Sequence, residues 1–166
     1  NVNEEGYLQA IRCKTAKLFE AATRLGAVIS GVSSEHEKAM AAYGMHLGTA
    51  FQLIDDVLDY SGAAAEMGKN IGDDLAEGKP TLPLIYALRN GTEAQSAQVR
   101  AAIERGGIDD LGAILEAVQR TGALEYARGQ AESEARLARD ALQGLVRSSQ
   151  LECLLELTQF AVDRRY

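Results

Sequence analysis

Three aspartates crowd the stretch FQLIDDVLDYSG, residues 51–62, and no Lys or Arg occurs between residues 39 and 68. Like charges at helical spacing cost about 0.2–0.5 kcal/mol per pair, so Asp55, Asp56 and Asp59 call for a cation from outside the stretch. On a helix, Gln52 and these three aspartates share one arc about 100° wide, and Phe51, Leu53, Ile54, Val57, Leu58 and Tyr60 fill the rest. A helix apolar around most of its circumference is buried on several sides. Its polar arc then faces solvent or an internal cavity. Carboxylates gathered on such a helix raise one another's pKa unless a cation joins them. Hard carboxylate oxygens suit Mg²⁺, which keeps waters and bridges to substrate phosphates. A solvated acidic face is the competing explanation. A calcium loop is excluded, because it needs acids at alternating positions around a central Gly. A carboxylate acid–base pair explains neither the missing cations nor the segment that follows.

That segment is GKNIGDDLAEGKPTLP, residues 68–83, with Lys69 and Lys79 flanking Asp73 and Asp74. Lysines on a Gly-bearing loop act as point charges for phosphate. Placed after a metal-binding carboxylate face, they point to a diphosphate; taken alone, they read as an ordinary charged loop. A third element is RCKTAKLFEAA, residues 12–22. Thr15 falls within its apolar stripe and Lys14 at the edge. A mid-stripe Thr bonds back to the preceding turn and bends the helix, which in the functional reading turns Lys14 toward a cavity and a diphosphate.

The elements that must position these residues are helical. Leu8, Ile11, Thr15, Leu18, Ala22 and Leu25 predict a helix over 3–30. Ser33 or Ser34 ahead of Glu37 suggests a capping box opening a second helix over 35–61. Residues 62–79 read as a loop, and Pro80 opens a third helix that Asn90-Gly91 stops. Further helices are expected over about 93–105, 108–121, 124–145 and 150–163. No strand alternation or repeat is visible, so the fold reads as all-α, helices around a bundle core. Gly44 and Gly48 read as close-packing positions, His36 and His46 as surface or packing residues without a metal role, and Tyr43 and Tyr60 acquire no role. The charges of 125–147 read as a solvated face with internal ion pairs.

The totals agree. The 166 residues suffice for one domain with a real core, and 46% hydrophobic content excludes a disordered chain. Two prolines favour long helices, and a net charge of −7 argues against a nucleic-acid surface. Cys13 and Cys153 are far apart, so a reduced, cytoplasmic compartment is the default. No apolar run reaches the roughly 18 residues of a membrane span, and no signal peptide is visible. The chain starts at Asn1, so it is expected to be part of a longer polypeptide.

With these motifs assembled, the chain resembles the C-terminal half of the trans-polyprenyl diphosphate synthases. FQLIDDVLDYSG is similar to the second aspartate-rich motif, and KTAKLF and GKNIGDDLAEGKPTLP to its flanking motifs, in the family's order; residues 5–90 match closely and the later helices more loosely. The wording is nearest to bacterial octaprenyl-forming members. The resemblance implies an isoprenoid-synthase helical bundle with a central cavity, of which residues 1–166 form the C-terminal part of a single domain. It implies Mg²⁺-dependent transfer of an allylic prenyl group to isopentenyl diphosphate, giving a long all-trans polyprenyl diphosphate for a quinone side chain, and a homodimer. Carried over by residue, Asp55 is the main metal ligand, supported by Asp56 and Asp59 directly or through water. Lys14, Lys69 and Lys79 hold the allylic diphosphate, Thr15 and Gln52 line the site near the reacting carbons, and Asp74 orients a metal-bound water or a lysine. Arg164 and Arg165 are candidates for the second diphosphate.

The family's first aspartate-rich motif and its basic isopentenyl diphosphate residues normally lie upstream. Asp73-Asp74 and Asp109-Asp110 do not replace that first motif, because each lacks its spacing and apolar surround, so residues 1–166 alone are expected to be inactive. The residues that set product length in the family also lie upstream. A non-catalytic helical partner subunit of a heteromeric synthase is the alternative, against which stands the full set of aspartates and lysines. A terpene cyclase on the same fold would not carry KTAKLF or the GDDLAEGKPTLP loop.

Overall fold

The structure, a computed structural model, describes residues 3–61, 71–106 and 109–164. Among them every regular element is helical: α1 (Glu4–Ile11), a π-helical turn (Arg12–Ala16), α2 (Lys17–Ile29), α3 (Ser34–Asp59), α4 (Asp73–Ala76), α5 (Leu82–Asn90), α6 (Glu93–Arg105), α7 (Leu111–Arg120), α8 (Ala123–Ala141) and α9 (Ser149–Asp163). The all-α expectation holds. The chain divides into two compact units, one taking the N-terminal residues through Tyr7 with Asp55–Gly129, the other Leu8–Ile54 with Gln130–Arg164.

In the first unit, α5, α6 and α7 pack around Tyr60, Leu75, Leu84, Val99, Ile114 and Val118. The third helix starts at Leu82 rather than Pro80, with Thr81 as extended N-cap and Pro83 inside the first turn. A proline there loses no hydrogen bond, because the first N–H groups of a helix have no partner in it. Its end is where the sequence places it: Asn90 Nδ2 donates to the Tyr86 carbonyl at 3.0 Å. Within the expected loop over 62–79, a short helix α4 forms. Gly72 precedes it with φ 83°, a left-handed conformation that favours glycine, and packs closely against the end of the Leu111 side chain.

In the second unit, Tyr43, Leu47, Leu142, Leu151 and Ala161 form the core, joined by Phe19 and Met40. Tyr43 donates to the Leu154 carbonyl at 2.9 Å, and burial pushes its phenol up to about 12. The expected helix over 3–30 is interrupted: the Lys17 N–H reaches back to the Arg12 carbonyl across a π-helical turn. That turn inserts one residue. The buried stripe downstream therefore moves on by one position, from Thr15, Leu18 and Ala22 to Ala16, Phe19 and Thr23, and Leu18 and Leu25 are left 72% and 57% exposed. Strict 3.6-residue periodicity cannot anticipate an insertion. Gly44 and Gly48 serve close packing as expected: a Cβ on Gly48 would stand 2.6 Å from Ala16 Cα, and one on Gly44 2.8 Å from Glu20 Cα.

The capping box expected at Ser33 or Ser34 with Glu37 does not form. Ser33 Oγ accepts from the His36 N–H at 3.3 Å, but Glu37 lies one residue too far along and pairs with Arg24 at 2.8 Å. A capping box forms instead at Thr92 and Gln95. Helix α8 stops at Ala141, four residues short of the expected end at 145, and turns follow.

Candidate active site

One helix, α3, carries Gln52 and all three aspartates, and it passes from the second unit into the first after Ile54. Its last turns are apolar on most sides, with Leu53 and Ile54 fully buried and Val57, Leu58 and Tyr60 nearly so. That burial matches the wheel drawn from the sequence. The aspartates do not face solvent: Asp56 is 2% and Asp59 9% exposed, while Asp55 is half-buried.

Their tasks differ. Asp56 accepts a hydrogen bond from the hydroxyl of Tyr7, a residue 49 positions earlier. Burial, then the Asp56 charge, raises the Tyr7 phenol well above its ordinary range, so it remains a donor. Asp59 caps α4: its Oδ2 accepts the Asp74 N–H at 3.2 Å, and its carbonyl accepts the Gly72 N–H at 3.0 Å. A carboxylate at a helix start satisfies orphan donors. Burial pushes the Asp59 carboxyl up to about 6, seconded by the charge of Asp74 and opposed by the Asp74 and Asp73 N–H groups.

Asp74 stands where a lysine needs it. Its Oδ1 accepts from Lys79 Nζ at 3.0 Å, while Glu77 takes the same ammonium at 2.7 Å. Of the two roles expected for Asp74, the structure displays the lysine contact. Pairing with Glu77 and Asp74 raises the Lys79 ammonium above its ordinary value, so it stays charged. Lys69 lies outside the described residues.

In the second unit, Thr15 Oγ1 donates to Gln52 Oε1 at 3.0 Å, joining two expected site residues that are 37 positions apart. The Thr15 hydroxyl goes to Gln52 rather than back to the preceding turn, and the irregularity in the helix here is the π turn. Lys14 is exposed on that turn. Arg164, a candidate for the second diphosphate, donates to the Phe51 carbonyl at 2.9 Å and lies 3.7 Å from the Phe51 ring centre. Arg165 lies outside the described residues.

Two contributors were not foreseen. Tyr7 carries no local signal of its pairing with Asp56. Glu134, read from the sequence as part of a solvated charged face, is 9% exposed and meets Arg12 Nη2 at 2.9 Å and His46 Nδ1 at 2.6 Å. Its signal was available: it shares a stripe with Ala131, Ala135 and Ala138, each 0–1% exposed.

Among the described residues, no three Asp, Glu, His or Cys side chains gather closely enough to hold an ion by themselves. The carboxylates of Asp55, Asp56 and Asp59 are hard oxygen donors, the type that divalent cations such as Ca²⁺ and Mg²⁺ take.

The shift at Asp59 has a testable sign. Its folded value, about 6, lies above the ordinary 3.8, so the folded chain keeps a proton that the unfolded chain releases. Stability therefore falls as pH rises through that window. Asp59→Asn keeps the acceptor for the Asp74 N–H and removes the charge. In metal-free thermal melts, the variant's midpoint is expected to gain on the wild type between pH 4 and pH 7; a constant difference would place the Asp59 carboxylate in water.

The polyprenyl synthetase family model matches residues 1–119. The chain is 48% identical over 165 residues to octaprenyl diphosphate synthase of Escherichia coli (strain K12), covering 99% of this chain and 51% of that enzyme. Among solved structures, polyprenyl synthase from Caulobacter crescentus CB15, complexed with calcium and isoprenyl diphosphate, superposes with TM-score 0.92 at 40% identity, covering 100% of this chain and 51% of the other. A decaprenyl diphosphate synthase from Rhodobacter capsulatus gives TM-score 0.90 at 40% identity, covering 99% and 51%. The chain thus spans about half the length of the relatives it matches. The motif order, the helical architecture and these matches agree: the chain belongs to the polyprenyl synthetase family.

Proposed function

We propose that this chain is the C-terminal part of a Mg²⁺-dependent prenyltransferase that condenses an allylic prenyl diphosphate with isopentenyl diphosphate into a long all-trans polyprenyl diphosphate. The observation that carries the reading is the buried aspartate helix α3, followed by the Asp74–Lys79 pair within a family-model match. The calcium and isoprenyl diphosphate in the Caulobacter relative support a divalent cation and a prenyl diphosphate as ligands here. The relatives named for octaprenyl and decaprenyl products favour a long chain; octaprenyl length and a ubiquinone side chain are the finer part of the proposal. A homodimer in the cytoplasm completes the reading. No described helix is long and apolar enough to cross a membrane.

Asp55, with Asp56 and Asp59 in support and Asp74 through water, would hold the metal. When bound, Mg²⁺ supplies positive charge that stabilises the departing diphosphate. Lys14, Lys69 and Lys79 grip the allylic diphosphate and stabilise the charge that grows on it as the C–O bond breaks. Thr15 and Gln52, locked by their mutual hydrogen bond, line the path of the reacting carbons. The allylic cation meets the alkene of isopentenyl diphosphate, a new C–C bond forms, and the released diphosphate accepts the proton that is lost. No nucleophilic side chain is required.

The test is direct. The full-length polypeptide, given labelled isopentenyl diphosphate and a short allylic diphosphate, is expected to make labelled polyprenyl diphosphate, to stop on addition of EDTA, and to resume with excess Mg²⁺. Chromatography of the dephosphorylated product reads its length. No incorporation with Mg²⁺ present would overturn the assignment.

A further inference from the structure

We propose that Glu134 is a positioning residue, a clamp that holds the π-helical turn Arg12–Ala16 in the geometry that presents Lys14 and Thr15. The proposal rests on the reading of those two residues given above.

A π turn inserts one residue and gives up regular i→i−4 bonding, so it persists only where its surroundings hold it. Here three contacts do so. Ala16 is fully buried, facing the Cβ-less Gly48. Thr15 donates to Gln52. Arg12, the first residue of the turn, reaches 122 positions along the chain to Glu134 Oε1. The other oxygen of the same carboxylate, Oε2, lies 2.6 Å from His46 Nδ1 on α3. Burial alone would raise the Glu134 carboxyl, but the hydrogen bonds from His46 and Arg12 outweigh it and hold the group below its ordinary value. An ionised carboxylate only accepts, so His46 Nδ1 carries a proton and donates. Both oxygens are thereby occupied, one on the turn and one on the helix that carries Gln52.

The position makes a purely stabilising role a poor account. Glu134 interrupts a buried alanine stripe, where an apolar side chain would pack at no desolvation cost. A charge kept at such a place specifies geometry rather than adding stability. Without the clamp, the inserted residue can relax into regular helix, which rotates Lys14 and Thr15 by about 100° about the axis.

The test uses the full-length enzyme with Glu134→Gln, Arg12→Gln, Arg12→Lys and Lys14→Ala. Glu134→Gln and Arg12→Gln are expected to raise KM for the allylic diphosphate about tenfold and to lower kcat, because Lys14 and Thr15 also act at the reacting bond, with the KM for isopentenyl diphosphate holding near wild type. Arg12→Lys, which keeps a charged donor, restores most of the loss. Amide exchange in peptides over residues 12–18 quickens in both glutamine variants. A lowered thermal midpoint with KM and exchange unmoved would overturn the clamp. Should Glu134→Gln fail to fold, Arg12→Gln carries the test, because that side chain is 42% exposed. If Lys14→Ala raises the allylic KM while the glutamine variants do not, the clamp alone falls. If Lys14→Ala is silent, the reading of Lys14 falls and the clamp with it.

Discussion

Asp55→Ala in the full-length enzyme is expected to lower turnover roughly a hundred- to a thousandfold, the scale on which enzymes lose rate when one electrostatic contact to the departing charge is removed. Asp56 is bonded to Tyr7 and Asp59 to the start of α4, so alanine at either would break a named long-range contact as well as remove a charge. Asp55 is half-buried on the same helix, more exposed than either neighbour. Removing a carboxylate from a helix with two others relieves like-charge repulsion, which offsets part of the contact Asp55 gives up, so turnover is expected to fall far more than the thermal midpoint. Steady-state turnover beside a thermal melt checks both halves. Near-normal turnover would defeat the metal-ligand role of Asp55 and with it the proposed chemistry.

Gly48→Val is expected to destabilise the chain by roughly 2–3 kcal/mol, as overpacking of a close-fitting core does. Its Cβ would stand 2.6 Å from Ala16 Cα, a backbone atom that cannot swing aside. The first residue to move would be Ala16, the end of the π turn, and with it the neighbouring Thr15 that bonds Gln52. A control sharpens the result. Gly129, inside α8, has nothing within 4 Å of an added Cβ, so Gly129→Ala should stabilise by about 0.5–1 kcal/mol through helix propensity alone. Urea unfolding of both variants measures the contrast. Equal midpoints would mean that the Gly48 crossing is looser than the structure has it.

Much of this protein was legible in the residues because the relevant signals are local. Apolar spacing, caps and helix breakers marked seven helical segments, and the all-α class followed. The aspartate arc of α3 was visible on a wheel because all its members lie within eight residues. Motif order alone was enough for the family.

Tertiary structure decided what the aspartates and their neighbours do, because the pairings that assign those tasks leave no periodic trace. Tyr7 meets Asp56 across 49 positions, Thr15 meets Gln52 across 37, and Arg12 meets Glu134 across 122. The π turn is of the same kind. It costs regular hydrogen bonding and is held by distant contacts, so a wheel with a fixed period carries the buried stripe one residue out of phase beyond Ala16 and places Leu18 and Leu25 with the buried residues. The short helix α4 escaped notice for a related reason: its cap is the Asp59 carboxylate, 15 positions before the Asp74 N–H it accepts, and no local signature joins the two. Local pattern set where helices form and which face is acidic; the long-range hydrogen bonds, present only after folding, set how each of those residues is used.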